Sequence, residues 1–255
     1  MYVFTRLESW KAGRGRGMLA ALALALGCML LLAGCSLPWQ HSANTSGLGP
    51  APTAQQVLTT MQKNFRSVSS FHLTMKTDNL GNTDANEIVI RQAEGDVLMP
   101  DKVSAQANVL LSGQAVTVNL ISVGDNQYIT DPITGQWRVV KGMLDPRVLT
   151  NPDTGLIALV SKLQNVTGPT ADNVNGTACW RVNGQLSAKD LAFFTGGGVP
   201  DGTMLQTSVC AGKDDGLPYE IDVTGQAATG DTPQTKRTFF ISKYNETISI
   251  VAPQV

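Results

Sequence analysis

Histidine is nearly missing from this chain: His41 and His72 are the only two among 255 residues. No Cys-x-x-Cys pair and no His-Glu-x-x-His run accompanies them, so the sequence argues against a metal site. Other chemistry is absent in the same way. There is no Gly-x-Ser-x-Gly elbow, no phosphate-binding glycine loop and no Ser-x-x-Lys placed to act as a nucleophile. His72 stands in a strand-like segment with no evident nucleophile beside it, and the carboxylates are scattered over turns and polar strand faces. An enzyme is therefore not expected, and no cofactor is implied. Charge is sparse as well, at 15% of residues with a formal net charge of −1. Basic residues form no cluster of the kind that marks a nucleic-acid surface.

What is present begins with a leader. Arg6, Lys11, Arg14 and Arg16 precede an apolar run from Met18 to Ala33, shorter than the about 20 residues of a spanning helix. Leu32-Ala33-Gly34-Cys35 follows at its end and resembles the bacterial lipobox, in which the cysteine is acylated and becomes the new N-terminus. Residues 1–34 are thus expected to be a signal peptide, with Cys35 the lipidation site. The rest would be held at the extracytoplasmic face of a cell membrane. Without the leader, 15 basic residues stand against 19 acidic ones, so no polybasic patch helps attachment and the acyl chains must supply it. Residues 36–52 are rich in Ser, Gly, Pro and Asn and read as a flexible tether. Residues 53–255 fit a single domain large enough to bury a core.

Cys28 departs with the leader and Cys35 takes lipid, which leaves Cys179 and Cys210. Outside the cytoplasm such a pair favours a disulfide. Strand alternation puts Cys179 on the face of Arg181, opposite Trp180, and Cys210 on the face of Gln206 and Ser208. Both therefore point to the polar side of their strands. The alternative is two free buried thiols.

Thr53 and Gln56 form a capping-box pattern ahead of Val57, Leu58, Met61, Phe65 and Val68 at helical spacing. The period then drops to two. Phe71, Leu73 and Met75 alternate with polar residues, and strand-like segments follow near 88–92, 102–111, 115–123, 127–131 and 136–140. Val103, Ala105, Ala107 and Val109 make one clean apolar face; Val116, Val118 and Leu120 make another. The pattern is an antiparallel meander with one wet face and one apolar face. A helical middle is expected after Asp145-Pro146 and over Leu156, Leu159, Val160 and Leu163. Strand character returns at 177–186. Ser187 is read as the cap of a short helix that Gly196-Gly197-Gly198 ends. Further strands are expected near 203–210, 219–224, 235–244 and 247–251, with 225–234 a loop and 78–87 a hairpin connection.

The stretch Asp145-Pro146-Arg147-Val148-Leu149-Thr150-Asn151-Pro152-Asp153-Thr154-Gly155-Leu156 resembles one found in the LppX/LprAFG family of bacterial lipoproteins. Asn126-Gln127-Tyr128 before Gln136-Trp137, Asn175-Gly176 before a strand, and the closing Ser242-Lys243-Tyr244 occur in the family's order. The resemblance covers nearly all of residues 53–255, although Cys179 and Cys210 are not part of the family pattern. It implies an α+β fold like that of the LolA/LolB carriers. A curved antiparallel half-barrel would have helices packed across its concave face and an apolar cavity between. It also implies binding of lipid or glycolipid acyl chains and their carriage within the cell envelope, with an envelope transporter as partner. The expected cavity residues are Val103, Ala105, Ala107, Val109, Val116, Val118 and Leu120 on the sheet, faced by Met61, Phe65 and Leu159 from the helices. The competing expectation is a non-catalytic scaffold or accessory lipoprotein of a transporter or sensor, with a filled core.

Overall fold

The computed structural model describes residues 50–81, 89–111, 113–142, 145, 147–151 and 153–255. The expected leader, the expected lipidation site Cys35 and most of the expected tether lie outside the described residues, as does much of the 78–87 connection. Among the described residues, eleven strands build one antiparallel sheet: β1 (Ser70–Leu80), β2 (Val89–Leu98), β3 (Lys102–Leu111), β4 (Gln114–Val123), β5 (Asn126–Thr130), β6 (Trp137–Val140), β7 (Gln164–Val174), β8 (Thr177–Ser187), β9 (Met204–Gly212), β10 (Pro218–Thr224) and β11 (Asp231–Ser242). Their order is β6-β5-β4-β3-β2-β1-β11-β10-β9-β8-β7. Two meanders therefore meet at one seam, where β1 pairs with β11 and Leu73 lies opposite Ile241. The sheet curves into the expected half-barrel.

Helix α1 (Ala54–Phe65) starts where the capping box requires. The Thr53 hydroxyl accepts from the Gln56 amide at 3.2 Å, and the Gln56 side chain accepts from the Thr53 amide at 2.7 Å. Its stripe of Val57, Leu58, Met61 and Phe65 is buried against the 3₁₀ segment and strands β7, β8 and β9. The short α2 (Arg147–Thr150) follows Asp145, whose carboxylate accepts from the Arg147 amide at 2.9 Å. Leu156–Lys162 winds as a 3₁₀ helix rather than as the helix with a single apolar face that the spacing suggests. All of Leu156 to Val160 is buried, so no solvent-facing side imposes a 3.6-residue period. Helix α3 (Ala188–Thr195) ends at Gly196, which takes φ 81° in the left-handed region that glycine tolerates. Ser187 stands at its N-cap without the side-chain bond the sequence suggests.

Three other expectations are corrected. Strand β7 is absent from the sequence reading because its residues are mostly polar and exposed, with Pro169 inside. Such a composition is tolerated on an edge strand. Strand β11 begins at Asp231, inside the expected loop. Residues 247–251 form no strand: the alternation Thr247, Ile248, Ser249, Ile250 serves a segment in which Ile250 alone is buried.

Most buried side chains form one cluster, including Phe65, Met61, Val103, Leu159 and Phe239. A second, smaller cluster lies on the opposite face of the sheet and holds the Cys179–Cys210 disulfide with Val174, Tyr219 and Phe240 beside it. Cys179 is paired with Gly212 and Arg181 with Cys210, so the bond crosses β8 and β9 diagonally at a Cα–Cα distance of 5.6 Å. Arg181 shares that face, as expected, and pairs with Asp172, Ser208 and Glu220. The face is polar by composition, yet both cysteines are fully buried in it.

A candidate lipid cleft on the inner face of the sheet

Cross-strand register aligns the inner-face residues in rows. Leu73, Gly95, Ala105 and Leu120 lie side by side on β1 to β4, and Met75, Ala93, Ala107 and Val118 form the next row. Large side chains thus stand at the two sides with glycine and alanine between them, leaving a shallow floor. Gly95 admits no substitute there, since a Cβ would lie 2.4 Å from the Ser104 carbonyl and 2.6 Å from the Ala105 methyl.

Above this floor lies an apolar pocket of about 70 Å³, walled by Leu73, Val97, Val103, Ala105, Leu149 and Phe194. Beside it opens a larger cleft of about 470 Å³. Leu80, Val89 and Ile90 of β1 and β2 form one wall of the cleft. The end of α3 and the Gly196–Gly198 segment form the other, and residues 228–231 close one side. Met75 and Phe194 border both spaces. Phe194 is held edge-on against the fully buried Phe239, with ring centroids 5.5 Å apart, and packs on Phe193 at 5.5 Å. The Thr195 hydroxyl donates to the Ala227 carbonyl at 2.7 Å and fastens the last turn of α3.

One end of the cleft is polar. Arg237 donates to both oxygens of Asp231 at 2.6 and 2.8 Å, and the same carboxylate accepts from the amides of Ala227 and Ala228 at 2.9 Å each. Both side chains are buried, so the bidentate geometry and the extra amides offset the desolvation of the charges. A third, nearly filled space of about 10 Å³ lies beneath the 3₁₀ helix among Leu159, Leu186, Leu191 and Thr207. The Thr207 hydroxyl is buried there without a hydrogen-bond partner.

The sequence-expected cavity residues divide into groups. Val103 and Ala105 line the apolar pocket. Met61 and Phe65 are completely buried in the main cluster under the C-terminal half of the sheet, and Leu159 borders the small space beneath the 3₁₀ helix. They do not form a roof over Ala107, Val116, Val118 and Leu120, because α1 packs on β7 to β9 instead. Those four remain half-buried on the inner face, while Val109 is buried outside the main cluster. His72 lies on the other face, its Nδ1 2.7 Å from Asp96. Sequence reasoning missed Phe194, Arg237 and Asp231 as cleft residues. Arg237 carried a signal, since it shares the phase of Phe239 and Ile241 in an alternating strand. Among the described residues no group of His, Cys, Asp and Glu could hold a metal ion, and no helix is long and apolar enough to cross a membrane.

The LppX_LprAFG lipoprotein family matches residues 53–250. The chain belongs to this family. Curated relatives include the lipoarabinomannan carrier protein LprG of Mycolicibacterium smegmatis, 24% identical over 230 residues, covering 88% of this chain and 90% of LprG. The putative diacylated glycolipid transporter LprF of Mycobacterium tuberculosis is 26% identical over 180 residues, covering 68% and 67%. Among solved structures, LprF from Mycobacterium bovis superposes with a TM-score of 0.61 at 19% identity, covering 81% of this chain and 99% of that one. The lipoprotein LppX of Mycobacterium tuberculosis gives 0.55 at 16% identity, covering 78% and 98%. These superpositions fix the family fold.

Proposed function

We propose that this protein is an acylated lipoprotein of the cell envelope, anchored through Cys35, that binds the acyl chains of a lipid or glycolipid and carries it between sites. The observation that carries the reading is the cleft of about 470 Å³ continuous in its walls with an apolar pocket on the inner face of the sheet. Binding there needs no catalytic group. Each methylene leaving water for an apolar wall contributes about 0.8 kcal/mol, so a single chain of ordinary length supplies ample affinity. The polar end at Asp231 and Arg237 leaves room for a headgroup outside the apolar zone. The relatives named as a lipoarabinomannan carrier and a putative diacylated glycolipid transporter support the same class of ligand.

The test is mass spectrometry of organic extracts from the full-length protein purified from the envelope and freed of detergent. The Ala105→Trp variant, which places an indole in the pocket, serves as control. Acyl lipid near one per protein in the wild type and its loss in the variant are the expected results. Equal extracts from both, with the variant folded, would assign the lipid to carry-over and leave the filled-core accessory protein as the better reading.

A further inference from the structure

We infer that Phe194 is the plug that sets how much acyl chain this protein accepts; the inference rests on the carrier reading above. Three independent features converge on this one side chain. First, among the described residues the outer cleft of about 470 Å³ and the inner pocket of about 70 Å³ share only Met75 and Phe194 in their walls, so the ring stands at the junction of the two spaces. Second, the floor beneath the junction is made of Ala93, Gly95 and Ala105, which have no bulk to divide it. The division is therefore made from above. Third, Phe194 sits in the last turn of α3, directly before Gly196, Gly197 and Gly198, all at positive φ of 81°, 71° and 85°. No side chain stiffens that connection. The last turn is held by the Thr195 hydroxyl on Ala227 and by the edge contact with Phe239.

A chain entering the outer cleft meets the ring of Phe194 before it can reach Leu73, Val97 and Val103. With the ring in place, the chain reaches the inner pocket only past its edge, which limits the length that fits. With the ring displaced or removed, the two spaces become one channel running on toward the half-buried Ala107 and Val118, which continue the apolar floor onto β3 and β4. Chain capacity is thus set by a residue on a helix, while the sheet supplies a uniform floor. Phe193 next to it is exposed at 41% and lines the outer cleft only, so it makes no comparable division.

The experiment compares full-length wild type with Phe194→Ala, Phe194→Trp and the exposed Ile133→Ala. All are purified identically, checked for folding by circular dichroism, and extracted for acyl-chain analysis. Each further methylene buried raises affinity about fourfold. Phe194→Ala should therefore move the bound population to longer chains by several-fold, Phe194→Trp should shorten it, and Ile133→Ala, an exposed change that lines neither space, should leave it unchanged. Should Phe194→Ala fail to fold, the shift with Phe194→Trp decides the matter. Wild-type lipid with the same chain distribution in every folded Phe194 variant would overturn the plug and leave the carrier reading standing. No extractable lipid in the wild type or any variant would overturn both.

Discussion

At the scale of single residues, the inner face is governed by the absence of bulk. Gly95 is the sharpest case, because the Ser104 carbonyl occupies the place of any Cβ. Gly95→Val should cost about 1–3 kcal/mol from overpacking and backbone displacement. A lowered urea midpoint at unchanged m-value is the expected observation. Asp231 is the opposite case, a residue whose value lies in its partners. Removing it strands the buried guanidinium of Arg237 and two amides, and uncompensated buried charge of this kind costs about 3–5 kcal/mol. Asp231→Ala should therefore be among the most destabilising single changes outside the aliphatic core. The double variant Asp231→Ala with Arg237→Met should recover part of that loss in equilibrium unfolding. The Tyr219 and Tyr244 hydroxyls add a pH signature. Burial, and then the hydrogen bond from Tyr219 to Asp215, push the Tyr219 hydroxyl up to about 12 from 10, and burial drives Tyr244 higher still. A raised folded-state value stabilises the fold below pH 10 and loses that contribution as pH climbs through the folded value. Alkaline unfolding scans should show the loss between about pH 10 and 12, blunted in Tyr219→Phe.

At the scale of elements, the disulfide ties β8 to β9 in the C-terminal meander. The loop it closes, with a sequence separation of 31, corresponds to roughly 3–4 kcal/mol on the chain-entropy view. Native protein should take up no thiol label without reductant, and the Cys179→Ala, Cys210→Ala pair should unfold at correspondingly lower denaturant. Much of this level was legible in the sequence. The boundaries of β3, the capping box of α1, the facing of the two cysteines and the left-handed glycine after α3 all follow from local rules that the residues state outright. What stayed hidden was non-local. Strand β7 has no apolar face to announce it and exists because β8 offers a partner. The position of α1 over β7 to β9, and hence the placing of Met61 and Phe65 away from β4, depends on how the curved sheet meets its helices. The cleft itself is space between elements, and no residue pattern encodes space. In the sequence Phe194 is one more apolar residue before three glycines, and its place between the two spaces shows only with Phe239 and Met75 beside it.

At the scale of the whole molecule, coverage of the sheet is unequal. The C-terminal half lies under α1 and the 3₁₀ helix, whereas Ala107, Val116, Val118 and Leu120 of the N-terminal half are only half-buried. A bulky change in the covered half should unfold the protein; one in the open half should be tolerated and exclude ligand. Ala107→Trp is accordingly expected to keep a melting temperature near that of the wild type while losing extractable lipid. A fall in stability with lipid retained would instead mean a packed core there. The seam between the halves carries a different kind of consequence. β1 leaves the ribosome well before its partner β11, which starts at Asp231, about 150 residues after β1 ends at Leu80. Any chain delivered from its N-terminus must wait with β1 as a bare edge, its alternating Phe71, Leu73 and Met75 open to foreign strands, until β11 arrives. Truncation by even a dozen residues short of Ser242 would leave that wait without an end, and such fragments should accumulate as aggregates rather than as half-sized domains.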